Sequence, residues 1–266
     1  MIRLSVNVNK VATLRNARGG SVPSVERAVE TCLDAGAPGI TVHPRADQRH
    51  IRRADVFAIA AIIAARRRSG AAGIEYNIEG DPRSDLIDLV LEVRPDQCTL
   101  VPVKPGEITS QAGWALETDP LFLEQVIGRL QAAGIRVSLF VEPDEAAVTW
   151  AAARRADRVE LYTEPYARAY TAGAGAARAS FERYAAAARH AHACGLGVNA
   201  GHDLDLDNLT VFKHLPHLDE VSIGHALVSD ALWMGLSAAV DAYRAALDLG
   251  PASGGGPDIM DESGVG

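Results

Sequence analysis

The chain has no apolar run near the roughly 20 residues that cross a bilayer; the stretch VFAIAAIIAA stops at Arg66. The opening MIRLSVNVNK meets Lys10 too soon for the apolar core of a signal peptide, so a cytoplasmic protein is expected. Cysteine is scarce. Cys32, Cys98 and Cys194 lie far apart with no CxxC spacing, which argues against a disulfide framework and a structural zinc site. They are expected to be buried free thiols. Positive charge is also short: the net charge of -8 removes any long-range attraction for nucleic acid or an anionic membrane. Small anions held by local basic clusters remain open.

What is present suits one large core. Over 266 residues, 48% are hydrophobic and 23% charged, as in an ordinary globular protein. A local pattern recurs in CLDAGAPGITVH, LQAAGIRVSLFV and HACGLGVNAGH: an alanine-rich helix end, a glycine suited to the C′ position, then a β-branched strand. Strands are predicted at Arg3–Val8, Gly39–His43, Gly73–Glu79, Gln97–Val101, Ile135–Val141, Arg158–Thr163, Gly197–Ala200 and Glu220–Ile223. Eight helical stretches alternate with them, beginning with SVERAVETCLDAG and ending with SDALWMGLSAAVDAYRAALDL. That alternation is what a single (β/α)₈ barrel, an α/β fold, requires. A doubly wound open sheet is disfavoured because no GxGxxG follows the first strand. The barrel is expected over residues 1–249, with the glycine-rich residues 250–266 as a flexible tail.

In such barrels the chemistry lies at the C-terminal ends of the strands. Polar residues collect there. Strand one runs into Asn7, Asn9 and Lys10, followed by the loop TLRNARGG; strand two delivers His43, Arg45 and His50 in ITVHPRADQRH; strand three ends on Glu79. Glu79 is preferred to Glu75 as a general base because it stands immediately before the Gly-Asp-Pro turn. NAGHD and SIGHA put glycine before His202 and His225, with Asp203 beside the first and Gly224 before the second. A phosphate against backbone N–H groups or a plain tight turn both suit that pattern. Arg15 and Arg18 with Arg45 suit a second phosphate clamp, while Arg49, Arg52 and Arg53 suit a solvated face. The long stretch LVPVKPGEITSQAGW after strand four has the size of a lid. His190, His192, His214 and His217 fall away from the strand ends and are expected at the surface. A metal site stays open, since His43, His50, His202, Glu79 and Asp203 are all ligand types, but no HxH or HExxH spacing joins them.

The stretches VATLRNARGG, GITVHPRADQRHI, NIEG, CTLVP, AGIRVSLF, VNAGHDL and SIGHAL, in this order, resemble the pyridoxine 5′-phosphate synthase family of vitamin B6 biosynthesis. The resemblance implies a (β/α)₈ barrel that condenses 1-deoxy-D-xylulose 5-phosphate with 3-amino-2-oxopropyl phosphate. Pyridoxine 5′-phosphate, inorganic phosphate and water are released. It implies no metal, no organic cofactor and a homo-octamer of paired barrels. By the same resemblance His43 and Glu79 are proton acceptors and His202 a proton donor. Arg45, His50 and Thr109 hold the deoxyxylulose phosphate, with Asn9 and Lys10 at positions that also contact it; Asn7, Arg18, Gly224, His225 and Asp203 serve the aminoketone phosphate. The chain departs from the frequent family pattern at Asn9-Lys10, around Val103, at Tyr162–Glu164 and at Asp203, which marks a divergent branch with the same reaction. Two other readings remain: a metal-dependent sugar-phosphate aldolase or isomerase, and a non-catalytic barrel that binds a phosphorylated metabolite.

Overall fold

The computed structural model describes residues 1–71, 73–102 and 112–250. Thr109, the region around Val103 and the tail from 251 onward lie outside them, and with them the expectations of a lid and a flexible end.

In chain order the elements are β1 (Arg3–Asn7), α1 (Asn9–Asn16), α2 (Val25–Asp34), β2 (Gly39–Val42), α3 (Arg53–Arg68), β3 (Glu75–Gly80) and α4 (Ser84–Val93). There follow β4 (Gln97–Leu100), α5 (Pro120–Ala132), β5 (Arg136–Val141), α6 (Glu145–Ala153), β6 (Arg158–Tyr162), α7 (Glu164–Ala172) and α8 (Ala174–Ala193). The chain closes with β7 (Gly197–Gly201), α9 (Leu209–Phe212), β8 (Leu218–Ile223), α10 (His225–Met234) and α11 (Leu236–Ala246). All eight strands pair in parallel, each with its sequence neighbour, and β8 returns to β1 to close the barrel. Among the described residues no helix is long and apolar enough to cross a membrane.

The strands alternate, and the alternation has an unusual sense. Leu4, Val6, Ile40, Val42, Ile78, Leu100, Leu139, Val159 and Leu161 are fully buried. They face the helix layer, as Tyr76 does, its hydroxyl donating to the Val56 carbonyl of α3. The inward positions are polar: Ser5, Thr41, Asn77, Gln97, Thr99, Ser138, Glu160, Asn199 and Glu220 are all nearly inaccessible. Bonds across the barrel prove their direction. Gln97 on β4 donates to Glu220 on the opposite strand β8 and accepts from Asn199 on β7, each at 3.3 Å. Barrel interiors are more often packed with branched aliphatics. Here the interior is a hydrogen-bonded column, which is affordable because its polar groups find one another.

Three aspartates pin the N-terminal rim. Asp96, Asp157 and Asp219 accept from the backbone N–H of Tyr76, Val137 and Val198, the second residues of β3, β5 and β7, at 2.7, 2.7 and 2.9 Å. The carbonyls of Asp96 and Asp157 accept in turn from Arg136 and Gly197, which open β5 and β7. Each of these two aspartates therefore ties the preceding odd strand to the next, and the barrel register is fixed away from the site.

Three expectations are corrected and one helix is added. The first half of TLRNARGG is helix rather than loop, because α1 starts directly at Asn9 and runs to Asn16, and the Gly19-Gly20 signal acts only after its end. A helix for which no stretch was predicted, α7, follows β6: Pro165 stands in its first turn, and its Tyr166 packs on Tyr184 and Phe212. The last long helix is two, α10 and α11, broken where Gly235 takes a φ of +85°. Cys194, at the end of α8, is exposed, whereas Cys32 and Cys98 are buried as expected.

Removing one rim aspartate should destabilise without touching the chemistry. Asp96→Ala leaves the Tyr76 N–H without its acceptor and is expected to cost about 1–3 kcal/mol. At roughly 2–4 °C per kcal/mol the melting temperature falls by about 2–12 °C; turnover at temperatures well below the melt stays at the wild-type rate.

Candidate active site

The C-terminal strand ends open into a cavity of about 400 Å³. At its centre is a closed network from three consecutive strands. Asn7, the last residue of β1, donates through Nδ2 to Glu79 Oε1 at 3.1 Å. Its Oδ1 accepts from the Asn9 N–H at 3.0 Å, and Asn9 Oδ1 accepts from the His43 N–H at 2.9 Å. His43, just past β2, sets Nδ1 3.6 Å from the same Glu79 oxygen. Its Nε2 is buried with no partner among the described residues.

Two carboxyl groups in this space are driven apart. Burial pushes Glu79 upward, but the adjacent His43, with His202 and Asn7, outweighs it and holds the carboxyl below its ordinary value. Glu160, on the neighbouring cavity wall from β6, has no such cation. Burial and then the charges of Glu79 and Glu220 raise it well above the carboxylate range. Glu79 is thus biased toward the carboxylate and Glu160 toward the neutral acid. Opposite displacement of two nearby carboxyls is how a site separates base from acid.

His202 follows β7 in the left-handed region, with φ of +58°, and Asp203 repeats it at +54°. Two successive non-glycine residues there are strained, although aspartate tolerates the conformation better than most. The pair is held by Thr163 Oγ1, which donates to the His202 carbonyl at 2.5 Å, and by Asn208 Nδ2, which donates to that of Asp203 at 2.9 Å. The His202 ring packs on Phe140 and Tyr162, with centroids 5.1 and 6.0 Å away. Burial lowers its pKa, helped by His43 and Lys10 and opposed by Glu79 and Asp203.

Cationic and donor groups ring the opening: Lys10 on α1, Arg45, Arg49 and His50 on the loop after β2, and His225 at the start of α10. His50 accepts from the Ile51 N–H through Nδ1 at 2.9 Å, so a neutral ring carries its proton on Nε2. Burial, then the charge of His43, lowers its pKa to about 4. No side chain caps α10, whose first residues line the cavity; an uncapped helix N-terminus favours an anion.

Of the residues singled out from sequence, Asn7, Asn9, Lys10, His43, Arg45, His50, Glu79, His202, Asp203, Gly224 and His225 all line this one cavity. Arg18 does not: it is exposed beyond the end of α1. Arg15 is no phosphate clamp either, since its guanidinium is buried in a forked pair with Asp55. Arg49, read as part of a solvated face, pairs with Asp47 and still forms cavity wall. Glu160 was not singled out, although the alternation in RVELY already turns it to the same side as Arg158. Both glycines before histidine serve packing. A Cβ on Gly201 would stand 2.8 Å from Glu160 Oε1, and one on Gly224 would stand 3.0 Å from Asn7 Cβ. Glu75 belongs to the other end of the barrel, where it pairs with Arg3 and Arg136. His192, His214 and His217 are exposed and His190 half-buried, all away from the cavity. Among the described residues no group of three or more His, Cys, Asp and Glu side chains is arranged to hold a metal ion.

Comparison with known proteins agrees with this geometry. A pyridoxine 5′-phosphate synthase of Bacteroides fragilis is 53% identical over 245 residues, covering 92% of this chain and 98% of its own. One from Porphyromonas gingivalis is 51% identical over 250 residues, covering 94% and 100%. Among solved structures, thiamine phosphate pyrophosphorylase from Pyrococcus furiosus superposes with a TM-score of 0.57 at 14% identity over 93% of this chain and 96% of that one, a likeness of fold. Residues 4–249 match the family described as pyridoxal phosphate biosynthesis protein PdxJ, and the chain belongs to that family.

Proposed function

We propose that the chain is a pyridoxine 5′-phosphate synthase, which joins 1-deoxy-D-xylulose 5-phosphate to 3-amino-2-oxopropyl phosphate by acid-base catalysis. The observation that carries the reading is His43. One ring nitrogen lies against the Glu79 carboxylate, and the other is buried without a protein partner at the cavity wall. A buried polar atom left unpaired in this way marks a position that a substrate group completes.

The chemistry asks for repeated proton transfers: imine formation, dehydration, loss of phosphate and ring closure. Glu79, kept ionised, and His43 are the proton acceptors in this reading. His202, with a depressed pKa, releases a proton readily and is the donor. Glu160 adds a neutral hydroxyl that donates to oxygen bearing developing charge. Arg45 and His50 hold the phosphosugar, and Arg49 adds charge on the same loop. Asn7, Gly224 and His225 at the uncapped start of α10 hold the aminoketone phosphate, with Asp203 beside them. Asn9, whose Oδ1 is committed to the His43 backbone, contributes chiefly by support; Lys10 supplies charge. Thr109 keeps the role that the resemblance implies, while Arg18, exposed beyond the end of α1, is left out of the phosphate contacts. The catalytic unit is residues 1–249.

The same reading includes a homo-octamer in the cytoplasm. Exposed, unpaired Cys194 supports a reducing compartment. Leu232, Trp233 and Met234, 69%, 88% and 45% exposed at the end of α10, support association.

Purified protein with both substrates is expected to form pyridoxine 5′-phosphate, followed by its absorbance; no product with correctly folded protein would overturn the synthase reading. Glu79→Gln should cut kcat by roughly 10²–10⁴-fold with the melting temperature kept. Glu160→Gln, which retains a neutral donor, should lose less activity than Glu79→Gln. Equal losses would contradict the assignment of one base and one neutral acid. Light scattering should give eight times the mass of one chain, and Trp233→Asp should reduce it.

A further inference from the structure

The last turn of α1 carries two residues that never reach the cavity. Arg15 is buried, and its guanidinium meets Asp55 in a forked pair, Nη1 to Oδ1 at 2.5 Å and Nη2 to Oδ2 at 2.9 Å. Asp55 lies in the first turn of α3, where its Oδ2 also accepts from the Arg52 N–H at 2.7 Å. The charge of Arg15 is thus matched, and the pair alone would tie α1 to α3.

More is built on it than that tie. Arg15 Nη2 also donates to the His50 carbonyl at 3.1 Å. Arg15 Nε donates to Asn16 Oδ1 at 3.0 Å, which orients the amide so that Asn16 Nδ2 donates to the same His50 carbonyl at 2.8 Å. The Asn16 amide also reaches the Gln48 carbonyl at 3.3 Å. Two donors from one helix converge on one carbonyl of an otherwise irregular loop, and that carbonyl belongs to a cavity residue. The His50 ring then lies 5.9 Å from the ring of His43, at 62°. Its Nδ1 is occupied by the Ile51 N–H, so Nε2 is the nitrogen left to donate outward.

We propose that Arg15 and Asn16 are positioning residues: locked to Asp55, they fix the carbonyl of His50 and thereby aim its Nε2–H at the phosphorylated substrate. The identity of that substrate as the deoxyxylulose phosphate rests on the proposed synthase reading; the brace itself does not. Arg15 and Asn16 act through the backbone of the residue that touches substrate, and the pair with Asp55 keeps Arg15 from competing for the phosphate. A bidentate clamp of this kind suits arginine and not lysine, whose ammonium cannot span the carboxylate and the carbonyl in one plane.

Two variants and two readouts test this. Asn16→Ala removes one donor and leaves the ion pair; Arg15→Lys keeps the charge and loses the fork. A ¹⁵N imidazole titration of the free protein follows His50 directly. The wild-type ring is expected to stay neutral and Nε2-protonated until about pH 4. In the variants the freed loop hydrates the ring, and its midpoint climbs toward the ordinary 6.5 with the tautomers mixing. Steady-state kinetics should show KM for 1-deoxy-D-xylulose 5-phosphate raised roughly tenfold, with kcat and the KM of the aminoketone changed by less than about twofold. An unchanged His50 titration and unchanged KM, even with a lowered melting temperature, would overturn the proposal and leave a merely structural clamp. Should the wild type make no product, the synthase reading fails, while the titration still decides the brace.

Discussion

The interior of the barrel admits only a few side chains at each level, and in this chain they are polar. Everything at the site follows from satisfying them without water-sized slack. Near the N-terminal rim opposite charges cancel locally, Glu75 with Arg136 and Arg3. In the middle, amides and hydroxyls pass hydrogen bonds around the ring: Ser5 to Thr41 at 2.6 Å, Asn77 to Thr41 at 3.3 Å, Thr99 to Asn77 at 3.2 Å. Toward the C-terminal end Glu79 and Glu160 share what cations remain, while Glu220 lies deeper, in register with Arg3 at the start of β1. Glu79 has His43 and His202 and ionises easily; Glu160 and Glu220 are raised, burial being the first cause for both. The separation of base from acid is therefore a property of the column, reached by placing histidine beside one carboxyl and burying the other where the charges that reach it are those of other carboxyl groups.

That column also explains why the strands could be read. Buried parallel strands usually appear as continuous apolar runs, hard to distinguish from buried helix. Here one face meets the helices and the other meets the polar column, so RLSVN, EYNIE and RVELY alternate with period two. The observed strands Arg3–Asn7, Arg158–Tyr162 and Gly197–Gly201 sit within a residue of their predicted bounds for that reason. His43, Glu79 and His202 stand out by their place at strand ends; the alternation agrees at His43 and Glu79, which continue the inward series of Thr41 and Asn77. It also pointed inward at Glu160, one residue pair deeper. A strand-end rule carries no signal at that depth, whereas the cavity reaches below the strand ends.

Other features were not legible because they depend on contacts distant in sequence. Arg15 and Arg18 look equivalent in TLRNARGG, yet Arg15 is in the last turn of α1 and faces Asp55, forty positions on, while Arg18 lies past the helix end. Nothing local separates a clamp on phosphate from a clamp on carboxylate, since guanidinium serves both with the same fork. The glycines before His202 and His225 were ambiguous in the same way. Space at a strand end suits a ligand or a neighbouring side chain, and only the neighbours Glu160 and Asn7 reveal which.

Asn7 shows how narrow the choices at the centre are. Its amide has to donate to Glu79 and accept from the Asn9 N–H at once. A carboxylate accepts only, so the Nδ2 side must face Glu79 and the Oδ1 side must face Asn9; flipping the amide would break both bonds. Aspartate at position 7 would keep the bond to Asn9 but set a second negative charge against Glu79, raising it and weakening the base. Leucine would keep the shape and lose both bonds, freeing the start of α1 and with it the Asn9 support for the His43 backbone. The amide at position 7 thus couples the ionisation of Glu79 to the placement of His43. Its position at the end of β1 is what lets one residue reach both the carboxylate on β3 and the helix that supports the loop after β2.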